Sequence, residues 1–280
     1  MKIAILYICT GLYDIFWKDF YISFEKNFIT EAEKHYYVFT DASYIYDECN
    51  NPNIHKIYQK SYDWPYSTLK RYHIFMPYIT EFLSYDYIFF MNANVLCVQE
   101  VVAEQILPQK ENGELLSVVQ HPYYYNKKPR HFTYDRNPLS TAYIPYTLGK
   151  YYICGGINGG TSEAFCDLIK TIYMQIESDL KEGIIALWHD ESHINKYILN
   201  RSDLRVLSPS FCYPEDSQLP FPQILVVREK SNWVPVKQIK RITANVILLR
   251  ITKIRNFFTN NYNYYKEILL NFISNNLAKR

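Results

Sequence analysis

Apolar and polar positions alternate in blocks along the first sixty residues. Residues 2–10 form a nearly continuous apolar run, typical of a strand buried on both faces, and residues 35–41 predict a second strand. Between them, large apolar side chains recur at helical spacing: Trp17, Phe20, Phe24 and Phe28. The order strand, helix, strand predicts a βαβ unit and therefore an α/β fold.

The pattern continues with a third predicted strand over residues 54–58 and a helix from about Ser67 to Leu83. An apolar run from Tyr85 to Met91 then ends in Asn92-Ala93-Asn94. Because open α/β sheets bind ligands at the carboxyl ends of their strands, these asparagines are candidate site residues.

The middle of the chain is strand-like from Leu115 and then irregular up to Pro145, with an aromatic cluster at residues 121–125. We expect a substrate-facing surface there. Residues 151–160 predict a strand whose paired glycines allow close approach of a ligand to the backbone, and residues 163–180 predict a helix. Residues 188–197 are dense in titratable groups, so we expect chemistry in this segment.

Composition limits the class of protein. The 280 residues are 48% hydrophobic, enough for one substantial core, and we expect one domain over residues 1–230. A net charge of +2 argues against nucleic-acid binding. Six cysteines without CxxC spacing, and no secretory leader, indicate neither a zinc site nor a disulfide framework. We therefore expect a cytoplasmic protein.

The last fifty residues have a different character. From Ser231 onward there are nine Lys or Arg residues and a single acid, Glu267. An apolar stripe flanked by these cations is typical of a helix that lies on an anionic membrane surface, and equally of a solvated helix packed on the catalytic domain. Residues 231–280 are therefore predicted to be a separate basic tail, with both interpretations open.

Several motifs occur in a fixed order across residues 1–230. They are residues 36–41, Asn92-Ala93-Asn94, His121-Pro122, residues 132–136, residues 142–145, the two glycine pairs, Trp188 to Tyr197, and Leu207-Ser208-Pro209. This series resembles the family 6 glycosyltransferases, which include the mammalian ABO blood-group transferases, and it is more similar to the shorter bacterial members.

The resemblance implies a GT-A fold, in which a Rossmann-like nucleotide-binding half is fused to an acceptor-binding half. It also implies a retaining α-1,3-transfer of N-acetylgalactosamine or galactose from a UDP-sugar to a galactose-terminated glycan, often α-1,2-fucosylated. The sugar donor would be a substrate, and no other cofactor is expected. A lipid-linked acceptor, reached through the tail at the inner face of the membrane, is a further expectation.

Asn92 and Asn94 stand where metal-dependent relatives carry an Asp-x-Asp motif for Mn²⁺. An amide carries no charge and is a poor Mn²⁺ ligand, so no metal is expected. The asparagines can instead hydrogen-bond the donor; the alternatives are that they merely cap a strand, or that the active site has decayed. Protein cations would then stabilise the leaving UDP, and the resemblance suggests Arg71, Arg228 and Lys230, although a surface role for Lys230 is also open.

The resemblance assigns the remaining roles. Glu191 would act at the anomeric carbon, as a nucleophile or as a stabiliser of an oxocarbenium-like transition state. Asp190 would bind donor hydroxyls. Uracil and ribose contacts fall on Ile8, Cys9, Thr10 and Tyr13. Three small residues that favour N-acetylgalactosamine over galactose are Cys154, Gly155 and Gly156. Acceptor contacts fall on His121, Thr133, Trp188 and Glu215, whereas His189 is expected to be structural.

Two other classes of protein remain open from the residues alone. A non-catalytic sugar- or nucleotide-binding relative would have lost turnover together with its aspartates, but the presence of Asp190 and Glu191 favours an enzyme. A nucleotidyltransferase built on the same α/β half would need acidic metal ligands, which are not seen at residues 92–94.

Overall fold

The computed structural model describes residues 1–235 and Lys266. Its strands are β1 (Lys2–Ile8), β2 (Glu33–Thr40), β3 (Ile54–Tyr58), β4 (Tyr87–Asn92), β5 (Val95–Cys97), β6 (Leu116–Gln120), β7 (Ile153–Thr161), β8 (Leu204–Leu207), β9 (Tyr213–Pro214) and β10 (Leu225–Val227). The helices are α1 (Trp17–Asn27), α2 (Tyr66–Leu69), α3 (Arg71–Phe75), α4 (Ile79–Phe82), α5 (Ala103–Ile106), α6 (Ser162–Lys181) and α7 (Asp190–Ile198).

The central sheet has seven strands in the order β3-β2-β1-β4-β7-β6-β8. The first four of these are parallel to one another, which confirms the predicted βαβ opening and the α/β class. Strand β7, however, runs antiparallel to both β4 and β6. An antiparallel strand begins at the edge where its neighbour ends, so residues 153–156 lie beside the end of β4.

The helix predicted over residues 67–83 is interrupted, so that prediction was wrong in length. Helices α2, α3 and α4 are separate short segments, and a 3₁₀ turn at Met76–Tyr78 joins the last two. Pro77 explains this second interruption, because proline has no backbone N–H to donate within a helix. Arg71 becomes the first residue of α3 and lies at the edge of the sheet that carries the site.

Each face of the sheet packs against its own hydrophobic core, one containing α1 and the other α6. A smaller apolar cluster of Phe132, Tyr134, Ile144 and Tyr152 supports the irregular middle segment. A second sheet of three strands, in the order β5-β10-β9, joins β5 to two strands from the C-terminal part of the described chain.

The predicted tail lies mostly outside the described residues. The part of it that is described packs on the domain, because Val234 is 4% exposed in the core and the Trp233 ring lies 6.1 Å from that of Phe16. Within residues 1–235 and at Lys266, no helix has the length and apolar character needed to cross a bilayer.

Candidate active site

A cleft of about 730 Å³ opens where β1 and β4 end. The register of these two strands places Ile8 opposite Asn92, so their ends form one edge of the sheet. Six residues predicted to bind the donor line this cleft: Ile8, Thr10, Tyr13, Arg71, Asn92 and Lys230. The ammonium of Lys230 lies 5.4 Å from the centre of the Tyr13 ring.

A further wall of the cleft was not predicted. It consists of Ser61, Tyr62, Asp63, Trp64, Ser67 and Thr68, which follow β3 in the chain. The signal for it was available, because β3 is parallel to β1 and β2 and therefore ends at the same edge.

Arg71 connects the cleft to the predicted chemical residues. Its Nη1 lies 2.7 Å from Oδ2 of Asp190 and donates a hydrogen bond of 2.6 Å to the carbonyl of Gly155. The guanidinium also stacks over Phe90, 4.1 Å from the ring centre. Burial raises the pKa of Asp190 to about 6, and the charge of Arg71 opposes this shift.

Glu191 is held by two hydrogen bonds. The hydroxyl of Tyr152 donates to Oε1 at 2.8 Å, and the amide of Gly155 donates to Oε2 at 2.8 Å. Burial raises the pKa of Glu191 to about 7, whereas both hydrogen bonds favour the ionised form. A carboxyl group with such a pKa changes charge close to neutral pH, as is common for groups that carry out chemistry.

A tight turn precedes α7 and orients the two carboxylates. The backbone of His189 has φ of 56°, which residues other than glycine rarely adopt. Within the turn, the amide of Glu191 donates to the carbonyl of Trp188 at 3.1 Å. The Nδ1 of His189 pairs with Oγ1 of Thr68 at 2.9 Å, and Thr68 lines the cleft. The structure thus gives His189 a positioning contact, while Trp188 is 42% exposed.

Two predicted acceptor residues, His121 and Thr133, are connected to Glu191 through tyrosines. The ring of His121 is 5.6 Å from that of Tyr152, and Thr133 donates a hydrogen bond of 3.0 Å to the Tyr124 hydroxyl. The Tyr124 and Tyr152 rings are 4.5 Å apart. Burial and the nearby charge of Lys127 lower the pKa of His121 to about 4. His121, Tyr124 and Tyr152 are called the aromatic group below.

Tyr152 has the contact to Glu191 that sequence reasoning missed. It was counted only as part of a predicted strand. The only available signal was its position directly before the strand that carries Gly155 and Gly156. Tyr124 belonged to the segment predicted to face substrate.

Two predicted donor residues have side chains in the core. Cys9 is fully buried, its amide donates to Phe39 and its carbonyl accepts from Thr40, so its polar backbone atoms have protein partners. Cys154 is 3% exposed, and a hydrogen bond with Cys212, together with burial, raises its pKa. The structure therefore does not bring either thiol into the cleft.

The glycines after Cys154 are in close contact with site side chains. A Cβ atom on Gly156 would lie 2.2 Å from Nδ2 of Asn92, and one on Gly155 would lie 3.0 Å from Cβ of Glu191. Glycine is therefore required at position 156 if Asn92 is to keep its place. The space beside both glycines is occupied by protein side chains.

Asn94 and Arg228 lie beneath the cleft. Asn94 is 1% exposed and its amide donates to the carbonyl of Arg228 at 2.5 Å. The guanidinium of Arg228 pairs with Asp19 at 2.8 Å and stacks between Phe16 and Trp233. These contacts hold the segment that carries Lys230 against the domain. The guanidinium of Arg228 itself does not line the cleft.

The asparagines do not fit a Mn²⁺ ion held as an Asp-x-Asp motif would hold it. Asn94 is buried, with its amide nitrogen donating to a backbone carbonyl, and both asparagines offer only a neutral oxygen where the motif would supply charged carboxylates. Glu215 is exposed, and its carboxylate accepts from the amide of Glu229 at 2.8 Å. Because Glu229 lines the cleft, Glu215 lies near the cleft. The contacts described above do not connect it to the other predicted acceptor residues His121 and Thr133.

A mainly parallel α/β sheet has a cleft at the ends of β1 and β4, connected through Arg71 to the buried Asp190 and the half-buried Glu191. This is the arrangement of a GT-A-type glycosyltransferase. The model of Glycosyltransferase family 6 matches residues 1–241, and the chain belongs to this family. The chain is thus a hexosyltransferase.

The chain is similar to named members of the family. It is 36% identical to the O-antigen biosynthesis glycosyltransferase WbnI of Escherichia coli over 215 residues, which cover 77% of this chain and 89% of that protein. It is 28% identical to the globoside alpha-1,3-N-acetylgalactosaminyltransferase 1 of Gallus gallus over 81% of this chain and 66% of that protein. It is 40% identical to the histo-blood group ABO system transferase 1 of Rattus norvegicus, but only over 38% of this chain and 30% of that protein.

Proposed function

We propose that the chain is a retaining, metal-independent α-1,3-glycosyltransferase. It transfers N-acetylgalactosamine from UDP-N-acetylgalactosamine to a galactose-terminated glycan, with α-1,2-linked fucose on that galactose. The observation that carries the proposal is the pair of contacts made by Glu191. Its Oε2 accepts from Gly155, whose carbonyl is bonded to cleft-lining Arg71, and its Oε1 accepts from Tyr152 of the aromatic group.

This position suits a retaining transfer. The donor occupies the cleft, with uracil near Ile8 and Tyr13, and the acceptor lies against the aromatic group. The bond from the sugar C1 to the UDP oxygen breaks, and its electron pair leaves with UDP. The Glu191 carboxylate bonds to C1 or stabilises its positive charge. The acceptor hydroxyl oxygen then bonds to C1, any Glu191–C1 bond breaks with its electron pair returning to the carboxylate, and the hydroxyl proton passes to the departing UDP phosphate.

Cationic side chains take over the electrostatic task of a metal in this proposal. Lys230 and Arg71 line the cleft, where the diphosphate develops negative charge as UDP leaves. Asp190 partly neutralises the charge of Arg71 and accepts hydrogen bonds from hydroxyl groups of the donor sugar. Arg228 contributes indirectly, because its contacts with Asp19 and Asn94 hold the segment that carries Lys230.

The choice of donor rests on two supports. Glycine at position 156 lets Asn92 keep its place in the cleft, and one named relative is an N-acetylgalactosaminyltransferase. Asn92 beside Gly156 supplies an amide that can pair with an acetamido group. The second candidate donor is UDP-galactose, since Asn92 and Glu191 fill the space that the small residues leave.

The proposed setting is the cytoplasm, with the basic residues of 231–280 in contact with the inner face of the membrane. That part of the proposal rests on charge pattern alone, because most of the tail is outside the described residues.

The test is a transfer assay with purified protein in EDTA. UDP-N-acetylgalactosamine and UDP-galactose are each combined with 2′-fucosyllactose and lactose. The expected result is turnover that EDTA does not reduce, fastest with UDP-N-acetylgalactosamine and the fucosylated acceptor. Loss of turnover in EDTA, restored by Mn²⁺, would contradict metal independence. UDP binding without transfer to any acceptor would favour the non-catalytic alternative.

A further inference from the structure

Residues 126–131, the basic loop, lie in the chain between the two predicted acceptor residues His121 and Thr133. Lys127, Lys128 and Arg130 are exposed there. No acidic residue occurs from Leu115 to Tyr134. Because the whole chain has a net charge of only +2, this is a local concentration of positive charge.

The three cations are not neutralised by neighbouring carboxylates. Among the described residues, no ion pair involves Lys127, Lys128 or Arg130. Arg130 donates instead to the ring of its neighbour His131 at 3.1 Å. An anion from outside the chain would therefore reduce the electrostatic repulsion among these three cations.

The charge of the loop reaches the proposed acceptor position. The ammonium of Lys127 stacks over the Tyr124 ring, 4.8 Å from its centre, and Tyr124 contacts both Thr133 and Tyr152. The same ammonium contributes to the lowered pKa of His121. Lys127 is thus folded onto the aromatic group rather than extended into solvent.

We propose that the basic loop binds an anionic group, a phosphate ester or a carboxylate, that is covalently carried by the acceptor glycan. The proposal rests on the proposed function, in which the aromatic group receives the acceptor. The donor diphosphate is a poorer occupant, since it belongs with Arg71 and Lys230 in the cleft beyond Glu191. A bare anionic membrane is also poorer, because Lys127 is drawn toward the acceptor position.

The experiment compares three acceptors that differ only at the reducing end of 2′-fucosyllactose: the neutral sugar, its 1-phosphate and the carboxylate made by oxidation. The full-length wild type is expected to show a KM about tenfold lower for a charged acceptor than for the neutral one, as three exposed cations permit. The preference should shrink as NaCl is added. Comparing the KM values for the 1-phosphate and the carboxylate shows which of these two anionic groups the loop prefers.

The loop variant Lys127→Gln/Lys128→Gln/Arg130→Gln should bring the charged-to-neutral KM ratio close to one. A matched control, Lys26→Gln/Lys170→Gln/Lys181→Gln, removes the same charge from exposed positions on α1 and α6 and should keep the preference. Equal KM values for all three acceptors in the wild type, or a loop variant that keeps the preference, would overturn the proposal.

Two further readouts separate this proposal from its alternatives. Sedimentation with phosphatidylglycerol vesicles reports membrane contact, and loss of vesicle binding in the loop variant without a change in acceptor preference would also overturn it. If no acceptor is glycosylated, the proposed function fails, but tryptophan fluorescence titration still tests the loop. Binding of the 1-phosphate by wild type and not by the loop variant would uphold it, and equal binding would refute it.

Discussion

Burial sets the pKa of Glu191, and two hydrogen-bond donors, the hydroxyl of Tyr152 and the amide of Gly155, oppose its effect. Burial favours the neutral acid, and these two donors favour the carboxylate, with the result that the pKa is about 7. A carboxylate that is partly desolvated is a better nucleophile than one in water, and the two donors keep it oriented. Tyr152 is therefore a positioning residue for Glu191.

Replacing Tyr152 by Phe removes one donor to the carboxylate. The pKa of Glu191 should rise further, and kcat/KM at pH 7 should fall about tenfold, as for the loss of one hydrogen bond to a charged group. The measurement is the pH profile of kcat/KM, whose acid limb should move to higher pH. Tyr134→Phe, in the same small apolar cluster, serves as the control and should leave the limb in place.

Glu191 should also make stability depend on pH. Its folded pKa of about 7 lies above the ordinary value of 4.5 for a glutamate, so between these values the folded state binds more protons than the unfolded state. The free energy of unfolding contributed by this group therefore falls as pH rises through that window. Glu191→Gln should stabilise the protein by about 2 kcal/mol at pH 8 and by little at pH 4.5.

Urea denaturation of wild type and Glu191→Gln at the two pH values measures this difference. An equal effect of the substitution at pH 4.5 and pH 8 would show that the carboxyl group is not perturbed in the folded protein.

The antiparallel strand β7 brings much of the site together. Its first residues lie beside the end of β4, where Gly155 contacts Glu191 and Gly156 contacts Asn92. The apolar run and the glycine pairs predicted this strand and nearly its bounds. They did not predict its direction, because the pattern of one strand carries no information about the orientation of its partner.

Gly156→Ala tests the contact between β7 and β4. The new methyl group would lie 2.2 Å from Nδ2 of Asn92 and must displace that side chain. We expect kcat/KM for the donor to fall about tenfold. In an Asn92→Ala background the same substitution should cost much less, since the clashing amide is gone. A full and additive loss in the double variant would mean that Gly156 acts through another contact.

Side-chain direction limited the prediction of other site residues. Asn92 and Asn94 look equivalent in the sequence, yet Asn92 lines the cleft and Asn94 is buried on the Arg228 backbone. Beyond the last residue of a strand, the alternation of faces no longer determines where a side chain points. For the same reason the core location of Cys154 and the pairing of Arg228 with Asp19 needed the structure.

At the scale of the whole molecule, the two ends of the described chain meet at the site. Residues 228–234 pack against Phe16 and Asp19 near the start of the chain, and they carry Lys230 to the cleft. The family match extends to residue 241, beyond the predicted domain boundary at 230. That boundary and the membrane role of the basic tail stay predictions.

Asp19→Asn should weaken this closure. The Arg228 side chain is 2% exposed, so it would keep a buried charge without its ionic partner, whereas Asp19 is 48% exposed. We expect a loss of about 1 kcal/mol in unfolding free energy and a higher KM for the donor, because Lys230 would be held less firmly. Asp14→Asn, an exposed acid in the preceding turn, is the control. Unchanged stability and KM would contradict the role given to Arg228.

The most direct test of the account follows the anomeric product by proton NMR, in EDTA, for wild type, Glu191→Gln and the control Glu182→Gln, an exposed glutamate directly after α6. The account predicts an α-linked product from wild type and from the control. Glu191→Gln should slow transfer by at least about a hundredfold, as expected when a group acts directly on the reacting centre. Comparable α-linked product from Glu191→Gln, or a β-linked product from wild type, would contradict it.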